Sequence, residues 1–521
     1  MRPFQEFRLW AHRAPAGERA ATGVVALVVM ALLVSLMAPS GKDMSAERDL
    51  SALGHRGVQR DTTDTTDVGS GDDVELTGSE VGGETRTGGT GATISGRTGT
   101  SGSGTPIGSS QDGGPAGCIS PPGKARGITD KEVKVIVVLT EIFGPAANDQ
   151  FDVPTPEEAR ADFEAAINGI NKEGGVACRK LVAQYVNANP IVEESMMRQC
   201  RDFAEADVFA IVDTGSMATR PAVLSCLGQN KMPYFGAFYI TEALRQQFYP
   251  YIYSFYTKEL LYKDTAFALR DVGFFDAAKG FKKLGFVYRD CEKEAITAFR
   301  KWIKEAGVPD ALVVPYNLNC PAVFASETDM AQAINTFQRQ GVTHVIPANA
   351  QGDIARLTAH AEQQEFRPKW GVPDEALLSI ATGSRAPDPK NFANAIAVTL
   401  ARDGEQDTPG MTPTAGTQRC NAYRKVAGLP PVYDVPANAG HACSQLWMLQ
   451  GALNNAPELS VTAIQVGLQR TKSIDYSFPQ GVNDFTAARV TTGGQFYRVA
   501  QFTPDCTCWR VIQRDFKRGF Q

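Results

Sequence analysis

From Val133 onward, short continuous apolar runs alternate with segments whose apolar residues recur every three or four positions, and the alternation breaks off and restarts near Lys283. Runs of the first kind predict strands buried on both faces of a parallel sheet, and segments of the second kind predict the helices that cover it. The first series reads EVKVIVVLT (132–140), KLVAQYVNA (180–188), VFAIVDTGS (208–216) and MPYFGAF (232–238) as strands, with helices at 155–173, 190–206 and 218–228 between them. In the first helix Thr155 is the expected cap, Pro156 suits the first turn, Glu158 completes a capping box and Gly174-Gly175 stop the helix. Ala159, Phe163, Ala166, Ile167 and Ile170 then share one face turned to the sheet.

The second series reads KKLGFVYRD (282–290), ALVVPYNLN (311–319), THVIPAN (343–349) and KWGV (369–372) as strands, separated by helices at 293–307, up to Gln340 and up to Gln364. The tail adds a strand at 395–401, helices around 415–428 and 439–455, and a closing strand pair at 487–492 and 495–502. Two such series predict two α/β lobes, each a doubly wound parallel sheet flanked by helices and joined by right-handed crossovers. The expected division is 118–256 with 376–478 for the first lobe and 257–375 with 479–521 for the second.

The chain before Cys118 carries a different pattern. Residues 1–20 hold Arg2, Arg8, Arg13 and Arg19, and an uncharged apolar run follows at 21–38. Arginines ahead of such a run predict a signal anchor that crosses the membrane and leaves 1–20 in the cytoplasm, or a secreted protein if the segment is cleaved. Residues 39–117 are rich in Gly, Ser and Thr and too poor in apolar residues to offset their ordering entropy, which predicts a disordered linker.

Net charge is −5, so no basic field favours nucleic acid. All ten cysteines follow residue 117. On the far side of a membrane they predict disulfides, and the absence of CxxC weakens a metal reading. Cys200 and Cys226 fall on successive crossover helices, and Cys291 and Cys320 beyond the ends of adjacent strands, so both pairs are expected to bridge. Cys118 with Cys178 and Cys420 with Cys443 are further expected pairs. Cys506 and Cys508 either bridge locally or take separate partners.

The segments GITDKEVKVIVVLT, the helix ending NKEGG, IVDTGSMATRPAVLSC and PKWGVPDEALLSIATG resemble the type I periplasmic-binding proteins, in particular the leucine/isoleucine/valine-binding receptors of ABC importers. The resemblance runs from about Gly127 to the C-terminus. It implies a receptor that closes two lobes on a small solute, without a cofactor, and presents it to a permease and ATPase pair. It also implies that Ser216 binds a ligand carboxylate, a role its position at a helix start suits, though a serine there also simply caps the helix. By the same resemblance Asp353 binds a ligand ammonium, though an acidic residue in a first helical turn is stabilising without any ligand. Two departures stand out. The family's threonine after the fourth strand is displaced to Thr241, behind Phe238 and Tyr239, and its tyrosine after the first strand of the second lobe is absent from YRDCEKEA, which offers Arg289 instead.

Geometry adds Glu141, Thr214, Arg289, Asn349 and Gln351 to the candidate ligand residues, because solutes bind beyond the carboxyl ends of such strands. Phe238 and Tyr239 are placed to stack on an apolar ligand or to pack the hinge. An exported hydrolase is the rival class, with His441 and Cys443 as its only thiol-site imitation, while His344 sits inside a strand. A surface sensor using the same fold is the other alternative. The sequence therefore reads as a non-enzymatic, membrane-tethered solute-binding protein with no metal and no cofactor.

Overall fold

A computed structural model describes residues 118, 120–142, 144, 148, 153–213, 220–236, 239–318, 325–348, 353–374, 387–435, 439–487, 489 and 491–520. The expected signal anchor and linker lie outside them. No helix among the described residues is long and apolar enough to cross a membrane.

The first lobe is built on five strands: β1 (Glu132–Thr140), β2 (Lys180–Ala188), β3 (Ala210–Asp213), β4 (Tyr234–Gly236) and, after the two-residue β5 (Tyr239–Ile240), β6 (Ile252–Tyr253). Their spatial order is β2-β1-β3-β4-β6, all parallel, with Val135 facing Ala183 on one side and Ala210 on the other. The continuous apolar run of β1 puts it next to the sheet's centre, where both faces are covered. Helix Pro156–Lys172 begins as its sequence dictates: the Thr155 hydroxyl accepts from the Glu158 amide, and the Glu158 carboxylate accepts from the Thr155 amide at 2.9 Å. It stops at Gly174 and Gly175, both in the left-handed region, and a Cβ on Gly175 would lie 2.0 Å from the Arg179 carbonyl oxygen.

A second two-stranded unit pairs β5 with β7 (Tyr256–Thr257) and leads into helix Lys258–Asp271, which packs on the second lobe. That lobe contains β8 (Leu284–Tyr288), β9 (Val313–Asn317), β10 (His344–Ala348), β11 (Lys369–Pro373), β12 (Ile396–Thr399), β13 (Phe496–Thr503) and β14 (Cys508–Val511). Their order is β14-β13-β12-β11-β10-β8-β9, parallel from β9 to β12 and antiparallel beyond.

Two expectations are corrected by this topology. Residues 376–478 do not all belong to the first lobe, because β12 pairs in parallel with β11, Gly371 facing Ile396. The closing strand pair is β13 with β14, whereas the described residues of 487–492 lie in no strand and include an isolated bridge between Thr492 and Ser254. After β12 the chain returns to the first lobe, where helices Ala415–Val426 and Ala439–Asn454 pack on helix Pro156–Lys172. Helix Ala439–Asn454 is apolar all round and correspondingly buried. Helix Ile464–Thr471 follows, and the chain crosses once more to β13. One apolar cluster runs through these crossings, from Phe163 in the first lobe through Phe255, Tyr256, Phe478 and Phe485 to Phe286 and Phe299 in the second.

Three bridges match the expected pairs, Cys118–Cys178, Cys200–Cys226 and Cys420–Cys443, and Cys506 bonds to Cys508 across the β13–β14 turn. Cys291 is also bridged. Its expected partner Cys320 lies outside the described residues.

Candidate functional site

The carboxyl ends of the strands carry the candidate site, and they divide the predicted residues into two groups. Thr214, Ser216, Phe238, Asn349 and Gln351 lie outside the described residues. Glu141, Tyr239, Thr241, Arg289 and Asp353 are placed, and each has a protein partner.

Glu141, just past β1, accepts a hydrogen bond from the Asn187 amide at 2.8 Å. Thr241 is the N-cap of helix Glu242–Gln247, its hydroxyl accepting from the Leu244 amide. Asp353, past β10, is fully buried and takes both Nε and Nη2 of Arg289 on Oδ2, at 3.0 and 2.5 Å, while Oδ1 accepts from the Ala325 amide. Arg289, past β8, is itself 4% exposed. The two residues expected to meet a solute from the second lobe therefore meet each other. Burial pushes the Asp353 carboxyl above the usual range and outweighs the downward pull of Arg289. An internal guanidinium at this distance does for Asp353 what a ligand ammonium would do.

Tyr239 stands at the crossing between lobes. Its ring stacks on Tyr256 with centroids 5.2 Å apart, and its hydroxyl donates to Asp374 Oδ2 at 2.7 Å. Asp374 closes β11, so this bond joins a strand of the crossing to the second sheet. The same carboxylate oxygen accepts from the Thr399 hydroxyl at 2.7 Å and from the Leu400 and Ala401 amides at 3.1 and 3.3 Å. Beside it lies a second buried carboxyl, Asp403, with Oδ2 3.4 Å from the Thr399 hydroxyl. The third crossing joins the cluster through Arg402, whose amide donates to the Pro479 carbonyl and whose Nε donates to that of Gln480 at 3.0 Å, and through Gly481, whose amide donates to the Tyr256 hydroxyl at 2.8 Å. Arg498 of β13, fully buried, donates to Glu405 at 2.7 Å. All three passages between lobes thus converge on one polar cluster.

Asp374, Thr399, Asp403 and Arg498 were not among the residues the sequence singled out. Their positions are far apart along the chain, and only Arg498, a charge in the middle of the apolar strand FYRVAQFT, was a local signal.

The hydrolase reading loses its nucleophile, because Cys443 is bonded to Cys420. His441 is buried in its helix and burial lowers its pKa to about 3, and His344 inside β10 is lowered to about 4 by the same cause. No group of three or more His, Cys, Asp and Glu side chains among the described residues is arranged to hold a metal.

No family model matches the sequence. No curated protein sequence matches it either. Solved structures do. A possible leucine/isoleucine/valine-binding protein from Rhodopirellula baltica is similar at a TM-score of 0.55 and 15% identity, over 73% of this chain and 96% of that one. A solute-binding protein of an ABC transporter from R. palustris, in complex with 4-hydroxybenzoate, gives 0.55 at 13% identity over 75% and 98% of the two chains. The fatty acid ABC transporter substrate-binding protein from Thermomonospora curvata gives 0.53 at 16% over 78% and 96%. With its two helix-flanked sheets, the first parallel and the second parallel up to β12, and three crossings, the chain from about Cys118 onward has the fold of the type I periplasmic-binding proteins, the fold on which these ABC-transporter receptors are built.

Proposed function

We propose that this protein is an extracytoplasmic solute-binding protein, tethered to the membrane by the run at 21–38, that closes its lobes on a small solute and delivers it to an ABC permease and ATPase pair. The observation that carries this reading is architectural: two parallel sheets joined by three crossings, with their carboxyl strand ends on the side where solutes bind in such folds. The bridges fit an oxidising compartment. Closure is then a population shift driven by contacts that the solute makes only when both lobes touch it.

The solute in this proposal is a carboxylate with an apolar or aromatic body rather than an α-amino acid. Asp353 already has a cation in Arg289, so it is not waiting for an ammonium group. Ser216 stays in the proposal as the carboxylate-binding residue, with Thr214, Phe238, Asn349 and Gln351 as further candidate contacts. Neighbours whose names specify a fatty acid transporter and a 4-hydroxybenzoate complex support the acid class. The test is native mass spectrometry of the protein from its own host, followed by thermal shift against aryl carboxylates, fatty acids and branched-chain amino acids. A retained or stabilising carboxylate without an amine is expected. A retained leucine, isoleucine or valine would overturn the ligand class, and no response to any solute would overturn the binding reading itself.

A further inference from the structure

The polar cluster at the crossings holds more charge-bearing groups than a hinge needs for packing. Asp374 and Asp403 are 7% and 3% exposed, and one hydroxyl, that of Thr399, lies within reach of both carboxyls. Four donors are directed at Asp374 Oδ2 alone, about as many as an ionised carboxylate accepts on its two oxygens together. Among the described residues Asp403 receives none of comparable quality: the Thr399 proton is committed to Asp374 at the shorter distance, and Asp403 Oδ1 is buried with no partner. The other charged groups packed here are Arg402 and Glu405 on the crossing and Arg498 on β13, with the Tyr239 and Tyr256 hydroxyls closing the ring from β5 and β7. Both guanidiniums hydrogen-bond Glu405, and Arg402 also pairs with Asp475 at 3.9 Å, so among the described residues a charge on Asp403 beside Asp374 would be one too many in a buried space.

We propose that Asp374 and Asp403 share a single proton and form a proton-operated latch at the hinge: while the proton is held, the Tyr239–Asp374 bond fastens the crossing strand β5 to the end of β11, and its loss loosens the crossing. Burial first, and then the neighbouring Asp374 charge, push the Asp403 carboxyl well above its ordinary range, in agreement with this assignment. The proton leaves Asp403 for solvent, no covalent bond changes, and the two charges are separated only when Asp403 swings out to water, which draws the Leu400 and Ala401 amides off Asp374. The latch deepens the solute-binding reading by naming what regulates closure, but its test requires no solute.

The experiment is hydrogen exchange, read by mass spectrometry, on peptides covering Leu400 and Ala401 in the full ligand-free chain across a pH series, with the intrinsic pH dependence of exchange divided out. From the ordinary carboxyl range up to the pH at which the closed pair itself gives up its proton, protection is expected to fall about tenfold per pH unit, the slope for release of one proton on opening. Asp403→Asn places an N–H donor where the shared proton sits and should hold protection flat, as should Asp403→Ser, which also cannot ionise. Tyr239→Phe should lower protection at every pH and leave the slope unchanged. A flat wild-type profile, or the same slope in the Asp403 variants, would overturn the latch. Solute binding by the same preparation would then leave the reading of function standing without it.

Discussion

The two lobes share a plan but are secured by different physics. In the first, disulfides span 60, 26 and 23 residues and tie the entry to β1, two covering helices and the two returning helices into one body. In the second, the bridge between Cys506 and Cys508 spans only 2 residues and closes a single turn, and Cys291 past β8 is bridged as well. Its buried ion pairs are Arg289 with Asp353 and Arg498 with Glu405, against Arg424 with Asp162 in the first lobe, and its sheet is widened by β12, β13 and β14. Long bridges act by restricting the unfolded chain, whereas buried pairs act only in the folded state and depend on complete partnering. The comparison teaches that the lobe with the more extensive covalent fastening can serve as the fixed half, while the other relies on electrostatic pairing that a proton or a mutation can unbalance.

The largest effect should come from removing the covalent fastening. Replacing Cys118 and Cys178 together opens a loop of 60 residues and should cost about 4 kcal/mol, and reduction of all the long bridges should cost more than any one. Hydrogen exchange after mild reduction is expected to show β1–β4 losing protection while β8–β13 keep theirs. Earlier loss from the second sheet would reverse the comparison.

Next is the buried pair of the second lobe. Asp353→Ala strands Arg289 in a buried site and should lower stability by about 3–5 kcal/mol, measured by urea unfolding. The double variant Arg289→Met with Asp353→Leu should recover most of that loss, since an apolar pair of similar volume needs no counter-charge. If instead Asp353→Ala left stability intact and abolished solute affinity, Asp353 would be a ligand group and the acid class of solute would be wrong.

Much of the fold could be read from local pattern. The buried runs of β1 and β8, the Thr155–Glu158 capping box and the Gly174-Gly175 stop are all short-range signals, and each stands where it was expected. Lobe membership of β12 was not legible, because its apolar run fits either sheet and only pairing with β11 and β13 decides it. The segment 487–492 has strand-like residues, but its described residues lie in no strand and Thr492 only bridges Ser254, so local propensity lost to tertiary context. At the site, Asp353 came from the resemblance and Arg289 from its place past a strand end, but neither indicated their bond with each other, which depends on two strand ends meeting. The Asp374–Asp403 pair was invisible for the same reason: nothing along the chain says that two carboxyls 29 positions apart face one threonine.

The smallest of the three effects concerns acid. His344 lies in β10 of the second lobe, edge-on to Phe274 at 4.7 Å, with Nε2 buried and unpartnered. Burial lowers its pKa from 6.5 to about 4, so the folded protein holds it neutral while the unfolded chain protonates it. A base with a depressed folded pKa contributes stability that is fully present above 6.5 and is lost as pH falls from 6.5 towards about 4, where the folded state also takes up the proton. That window corresponds to about 3 kcal/mol. His344→Leu should flatten this part of the stability curve in urea unfolding and leave stability above pH 7 within about 1.5 kcal/mol of the wild type. The first lobe has its own buried histidine, His441, lowered to about 3 by burial. Acid should therefore still weaken the first lobe in the His344 variant, and exchange resolved by peptide would show β1–β4 opening before β8–β11. Equal flattening in both lobes would mean that they unfold as one cooperative body, and that the division between a covalently fastened half and an electrostatically paired half has no energetic counterpart.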